Sequence, residues 1–431
     1  FQASEKPIIA GIRHYALGGG LELAMLCHHR VSLADAKLGQ PEIKLGIIPG
    51  GTGTQSLPRL VGVENALHMI VSGKPITAEK ALSWGLVDEI CSEDLHNHCI
   101  QLAKKCMNDA GYKAIIPLHR GLPKMPNAQF FNKKKSDLEK HAYGFQAPEI
   151  ALSCIQASCE QSVEAGLAFE QKQFMSLMTG PASQAMRYQF MAEHLARQVP
   201  GLKRDTPTYT CEKIGVVGGG LMGSGIAIVA ATKAYSVIIV EKDLQALARC
   251  QDGISKHYAQ MVAKGKLTEH EAQKTQVKIS LVTDLEALAD RDLVVEAVFE
   301  DMKIKLSIFN QLDAICQPDC ILASNTSGLD INTLAQATKR PGQVLGLHFF
   351  SPAPVMRLLE VVRGQFTSDK TLATALSWAK VIKKVSVCVG VCPGFVGNRM
   401  VIRYFKQVEQ LLLEGCKPLE VDQALEGFGF A

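Results

Sequence analysis

Apolar and polar positions alternate along this chain in two α/β stretches separated by a helical middle. Residues 8–17 (IIAGIRHYAL) are rich in apolar side chains and predict a buried strand running into the turn Gly18-Gly19-Gly20. LELAMLCHHR, which follows, has helical spacing, with Leu21, Ala24 and Met25 on one face. VSLADAKLG, IKLGIIPG, a helix over NALHMIVSG, and AEKALSWGLVDEI extend the α/β rhythm to about residue 110. From about 115 to 205 the pattern changes. GLPKMPNAQFFNKKKSD is polar and proline-bearing and predicts a linker, and two amphipathic helical stretches follow, from PEIALSCIQ to FMSLMTG and over SQAMRYQFMAEHLARQ.

A second α/β stretch opens at Ile214. Apolar strands are predicted at IGVVG, SVIIVEK, DLVVEAV, CILASN and VLGLHFF, with helical segments between them, which is the pattern of a parallel sheet. At PGFVGNRMVIRYFKQVEQLLLEG the rhythm becomes helical again. There is no internal repeat and no low-complexity tract. These shifts divide the chain at 1–115, 116–205, 206–388 and 389–431, close to the three domains that 431 residues suggest.

Composition narrows the classes of function. With 47% hydrophobic and 20% charged residues, the chain has ample material for ordinary globular cores. A net charge of +4 without long basic runs argues against nucleic acid or a membrane surface as the main partner, and suits an anionic substrate only weakly. The 13 cysteines form no CxxC pair and no His/Cys cluster with zinc spacing, so free thiols and no metal site are expected. No apolar run reaches the length of a membrane span. The chain starts at Phe1 without methionine and stops at Ala431 within GFGFA, which reads as a piece of a longer protein.

Two sets of residues carry candidate chemistry. In the first, the glycine turn ahead of a helix presents unpaired N–H groups at a positive helix end, able to hold a developing oxyanion. Glu22 lies just inside that helix, and Glu42 follows Pro41 on a loop beside a glycine-rich stretch. Two carboxylates near one enolate can divide the work, one handling water and the other exchanging a proton at the α-carbon. Each glutamate alone could equally be a dipole-compensating or solvated residue. The wording of the segment decides between these. ALGGGLELAMLCHHR, LGQPEIKLGIIPGGTGTQSLPRLVG and AEKALSWGLVDEI resemble the enoyl-CoA hydratase (crotonase) family over residues 5 to about 110. That resemblance implies Glu22 and Glu42 as catalytic glutamates and Gly19 as one oxyanion donor, with the family's other donor upstream of Phe1.

In the second set, Gly218, Gly220 and Gly223 spell G-x-G-x-x-G between a strand and a helix. Glu241 ends the next strand, 23 residues after Gly218, where an acid can hold ribose hydroxyls and repel a 2′-phosphate, which favours NAD over NADP. His348 closes an apolar strand, and Glu360 follows twelve residues later; a histidine polarised by a carboxylate can take a hydroxyl proton. GVVGGGLMGSGIA, VVEAVFEDMKIK, ASNTSGLDI, LHFFSPAPVMRLLEVV and PGFVGNRM together resemble the L-3-hydroxyacyl-CoA dehydrogenase family over residues 212–431. By that resemblance His348 is the base and Glu360 its partner, Ser327 and Asn398 contact the substrate, and Glu300 and Lys305 lie on the cofactor side. Many single-function relatives carry asparagine where this chain has Ser351.

The order of the two halves is similar to the multifunctional enzymes of fatty-acid β-oxidation, peroxisomal or bacterial. The resemblance implies a partial crotonase fold over 1–115, a helical linker, a Rossmann-type NAD-binding domain over 206–388 and the start of an all-helical dehydrogenase domain. It also implies NAD as cofactor, acyl-CoA thioesters as substrates and a peroxisomal location. Two alternatives stand beside it. One is a β-hydroxyacid dehydrogenase of small free acids. The other is a chain that binds NAD or acyl-CoA without turnover.

Overall fold

A computed structural model of the chain describes residues 4–109, 115–119, 121–127, 129–140 and 144–430, so the two chain ends discussed above lie outside the described residues. The chain divides into two compact units, Phe1–Met191 with Leu425–Ala431, and Ala192–Ala424. Among the described residues no helix is long and apolar enough to cross a membrane, and no three His, Cys, Asp or Glu side chains gather as a metal site.

The strands of the first unit are β1 (Ile9–Ile12), β2 (Tyr15–Leu17), β3 (His29–Leu33), β4 (Lys37–Gly39), β5 (Ile76–Thr77) and β6 (Glu89–Cys91). They form two small sheets, ordered β1-β3-β6 and β2-β4-β5. The single buried strand expected over 8–17 is therefore corrected to two. His14, at φ 59°, breaks the extended backbone, so β1 and β2 enter different sheets. Of their residues only Ile12 and Ala16 are buried. The helical spacing after the glycine turn is realised as α1 (Gly19–Met25), which buries Leu21, Ala24 and Met25.

The core that α1 helps to fill continues past residue 115. Residues 110–114, beside the expected boundary, lie outside the described residues, but the helices Ala147–Glu160 and Val163–Thr179 do not form a separate linker. Their Ala151, Leu152, Cys154, Ile155 and Leu177 share one apolar cluster with Leu21, Met25 and Leu57. Part of the polar stretch expected as linker is likewise a helix, Phe130–Glu139. Phe131 is buried in the same cluster while the lysine-rich positions stay on the outer face, a pattern that a polar average conceals.

In the second unit, β7 (Lys213–Val217), β8 (Ser236–Val240), β9 (Ile279–Val282), β10 (Leu293–Glu296), β11 (Ile321–Ser324), β12 (Val344–Phe349), β13 (Leu358–Arg363) and β14 (Val385–Gly390) make one sheet ordered β14-β13-β12-β11-β10-β7-β8-β9. The five predicted strands are all present. Every neighbouring pair is parallel except β12 and β13, which run antiparallel. Alternate residues feed two cores: Leu293 and Val295 face one cluster, and Val294 the other. Burial on both faces explains why these strands read as unbroken apolar runs. The switch of order at β7, from which β8 and β10 leave in opposite directions, opens a crevice at the carboxyl ends of the strands.

Candidate active sites

In the first unit the glycine turn brings two carboxylates to one place. Gly18 caps α1 at φ 56°, and a Cβ there would sit 2.7 Å from Oε1 of Glu42, so only glycine admits the carboxylate. Glu42 begins a short 3-10 helix, Glu42–Leu45, rather than lying in an open loop. Its carboxylate faces the buried Gln40, whose amide nitrogen, in the orientation that satisfies both groups, lies 3.1 Å from each carboxylate oxygen. Glu22 accepts hydrogen bonds from Gly51 N (2.7 Å) and Gly53 N (2.8 Å) at the start of α2 (Gly53–Val61).

These environments separate the two acids. Burial pushes the Glu22 carboxyl up, and the amides of Gly51 and Gly53 pull it back. For Glu42 burial is again the largest cause, its own backbone N–H opposes it, and the nearby Glu22 adds to it, so its carboxyl is pushed up to about 7. Glu42 therefore holds a proton near neutrality, and Glu22 is the better stabilised anion. The space a Cβ on Gly19 or Gly20 would occupy has no atom within 4 Å, which leaves room in front of the first N–H groups of α1.

Glu170, which no motif singles out, is a third acid at this site. It is 1% exposed and reaches the turn before α2 from the helix Val163–Thr179. One signal could have found it: with Gly166 and Leu177 it lies on the helix's buried face, where an acid is out of character.

In the second unit, β7 runs into the glycine turn and the helix Leu221–Ala231. Gly218 has φ 92°, and a Cβ on Gly223 would lie 1.8 Å from the Gly218 carbonyl oxygen. Glu241 accepts a 2.6 Å hydrogen bond from Gly219 N, which puts the acid directly at the turn. A Cβ on Gly220, where the helix begins, would meet nothing within 4 Å. Tight turn, open helix start and adjoining acid fit a dinucleotide: pyrophosphate over Gly220 and ribose against Glu241. Replacing Gly223 by alanine is expected to weaken NAD binding at least tenfold, because the turn must shift to relieve the clash; fluorescence titration with NADH checks this.

His348 on β12 and Glu360 on β13 are direct cross-strand partners. His348 Nδ1 and Glu360 Oε2 are 2.7 Å apart, and both side chains are buried. Glu360 Oε1 also accepts from Val396 N (3.0 Å) and Gly397 N (2.8 Å), at the start of the helix Gly397–Leu413. Burial opposes ionisation of Glu360, but the bond to His348 and these two amides together hold its carboxyl below the usual range. With Nδ1 engaged, Nε2 is the nitrogen free to take a proton. The rings of Phe350 and Phe395 lie 4.5 and 5.8 Å from the imidazole and limit the water around it.

Ser327 and Glu300, expected on the substrate and cofactor sides, are bonded to each other: Ser327 N and Oγ donate to Glu300 Oε1 at 2.8 and 3.0 Å. Thr326 Oγ1 donates to the same oxygen at 2.6 Å. The Ser327 loop packs near Asn398, because a Cβ on Gly328 would lie 2.8 Å from Gly394 N while Gly394 itself abuts Asn398. Lys305 differs from the expectation of a cofactor contact. It is fully buried, with Nζ 2.7 and 3.0 Å from the two oxygens of Glu296 and 3.4 Å from Glu300 Oε2. Lys305 thus reaches the crevice only through Glu300, and Glu296, held by Ser324 Oγ and Val298 N, anchors it from below.

Fold and sites together define the class: a crotonase-type unit followed by a doubly wound unit with a dinucleotide-type glycine turn. Residues 1–176 match the family described as enoyl-CoA hydratase/isomerase, and residues 213–392 match the NAD-binding domain of 3-hydroxyacyl-CoA dehydrogenase. The whole chain is 42% identical to the peroxisomal bifunctional enzyme of Cavia porcellus and 39% identical to that of Homo sapiens, covering 60% of each. It is 36% identical to the fatty acid oxidation complex subunit alpha of Shewanella amazonensis, with 98% of this chain and 61% of that protein covered. The chain is similar to the peroxisomal bifunctional enzymes along its whole length and spans about 60% of the length of these curated relatives.

Proposed function

We propose that this chain hydrates 2-trans-enoyl-CoA to L-3-hydroxyacyl-CoA at the Glu22/Glu42 site. The His348/Glu360 site then oxidises that alcohol to 3-ketoacyl-CoA, as two consecutive steps of peroxisomal fatty-acid β-oxidation. The observation that carries this reading is the buried 2.7 Å His348–Glu360 pair, on a chain that also gathers two carboxylates with raised pKa at a glycine turn.

At the first site, Glu22 takes a proton from water as the oxygen adds to the β-carbon, and Glu42 gives its proton to the α-carbon. The N–H of Gly19 faces the thioester oxygen, where negative charge develops. The same pair can move a proton between the α- and γ-carbons, which would convert 3-enoyl to 2-enoyl thioesters. At the second site, bound NAD supplies the hydride acceptor. His348 Nε2 takes the hydroxyl proton as the hydride leaves C3, and Glu360 stabilises the imidazolium that forms. Ser327 and Asn398 orient the reacting end, with Glu300 and Lys305 fixing the Ser327 loop.

The test is NADH formation from a short 2-trans-enoyl-CoA with NAD, run beside the same assay on L-3-hydroxyacyl-CoA. NADH from both substrates is the expected result. NADH from the hydroxyacyl substrate alone would remove the hydratase half of the reading. NADH from neither would leave a chain that binds without turnover.

A further inference from the structure

The first unit holds a buried acid that the hydration chemistry leaves unused. Glu170 forms no ion pair among the described residues, yet it is 1% exposed. Its carboxylate is satisfied instead by the turn that leads into α2. Thr52 N donates to Oε1 at 2.8 Å and Thr54 N to Oε2 at 2.8 Å, and the Thr54 hydroxyl also donates to Oε2. The two amides that hold Glu22, from Gly51 and Gly53, alternate along the chain with these. Four consecutive N–H groups, 51 to 54, are thus shared out between two carboxylates, odd residues to Glu22 and even residues to Glu170.

Such a turn cannot move on one side alone. Because neighbouring amides here go to different carboxylates, each carboxylate fixes the peptide planes that the other uses. Gly51 and Gly53 also admit Glu22 at distances no side chain would allow: a Cβ on either would lie 2.9 or 2.7 Å from its oxygens. The turn is therefore clamped, with Glu22 on the reacting side and Glu170 behind it. From this geometry we infer that Glu170 is a positioning residue for the hydratase site, holding the 51–54 turn so that its odd amides orient Glu22. The inference rests on the hydratase reading above. The titratable groups facing Glu170 are Glu22 from α1 and Cys154 from the helix Ala147–Glu160. The thiol is pushed up to about 12, by burial first and then by Glu170, and stays neutral. Burial pushes Glu170 itself up to about 7 against the bonds from Thr54 and Thr52.

The test compares wild type, Glu170→Gln and Thr54→Val in the full chain. A glutamine turns an NH2 toward one of the two even amides, so the turn must open there. Hydration by Glu170→Gln is expected to lose about 10- to 100-fold in kcat with KM changed by less than about threefold, because Glu22 is misaimed while the thioester still binds. Thr54→Val removes one hydroxyl donor and keeps both amides, and should lose about threefold in kcat in the same direction. A residue needed only for stability would lower the melting temperature and leave kcat intact at temperatures where the unit stays folded. A folded Glu170→Gln with kcat within about twofold of wild type would overturn the inference. A second readout does not need turnover. The amide NMR signals of Gly51 and Gly53 should follow the titration of Glu22 in wild type and lose that dependence in Glu170→Gln. If wild type fails to hydrate enoyl-CoA, the hydratase reading falls. The clamp is then upheld by a change in those two signals and overturned by their staying the same.

Discussion

Replacing His348 by alanine is expected to lower the rate of 3-hydroxyacyl-CoA oxidation by about 10²- to 10⁴-fold, the range over which a positioned general base acts. NADH affinity should stay unchanged. The two effects separate because the groups lie on different elements. The proposed NAD site, the turn at Gly218–Gly223 with Glu241, lies at the ends of β7 and β8, whereas His348 stands on β12. Glu360→Gln is the informative companion. It keeps a hydrogen-bond acceptor beside Nδ1 but removes the charge that stabilises the imidazolium. It also weakens the bonds from Val396 and Gly397 that tie the following helix to the pair. Its loss should be smaller than that of His348→Ala, because the imidazole remains in place to accept the proton. Stopped-flow NADH formation with a 3-hydroxyacyl-CoA checks both variants, and NADH titration checks binding. Equal loss of NADH affinity and turnover in His348→Ala would contradict the assignment.

Hydration should depend on one proton held between Glu22 and Glu42. The forward reaction uses ionised Glu22 and protonated Glu42, and the reverse uses the opposite arrangement. Both directions therefore need the pair to carry a single proton, and kcat/KM should be bell-shaped with the same profile each way. The upper limb falls as the pair loses its last proton, which the burial of Glu42 and the neighbouring Glu22 put at about pH 7. Because the acids interact, the measured limbs belong to the pair and not to either residue. The lower limb appears as Glu22 is protonated, and its raised pKa brings that limb above the ordinary carboxylate range. Glu42→Gln should remove about 10²- to 10⁴-fold of the activity and with it the upper limb, since no proton remains to be lost from that position. Rates of loss of the enoyl thioester across pH 5 to 9 measure both. An upper limb that survived in Glu42→Gln would move the titrating group elsewhere, with Glu170, also near about 7, the first candidate.

Much of the second unit was legible in the residues because its strands are buried on both faces and carry their signal in every position. The glycine fingerprint likewise needs its residues at fixed spacing, since one Cβ at Gly223 would strike the backbone. The first unit was less legible. A left-handed residue at His14 cuts an apolar run in two without changing its hydrophobicity. The helix at Phe130–Glu139 hides one buried phenylalanine among lysines. Site residues divide in the same way. Glu22, Glu42, His348 and Glu360 stand in short motifs whose wording is distinctive, and the structure brings each pair together. Glu170 and Gln40 lie beside the Glu22/Glu42 pair and Glu296 beside Lys305, and pairing of that kind depends on which distant segments meet. Lys305 shows the reverse case, a residue in a distinctive motif whose charge is spent on Glu296 inside the protein.

The pairing of His348 with Glu360 comes from strand register, since the two face each other across β12 and β13. The interval of twelve residues between them merely records how much chain the connecting loop happens to use. The pairing itself depends on the two strands keeping step and not on the number of residues between them. A slip of one residue between the strands would instead send Glu360 to the far side of the sheet, with the loop untouched. Strand register, and not the length of the 350–357 connection, is therefore what keeps the dyad together.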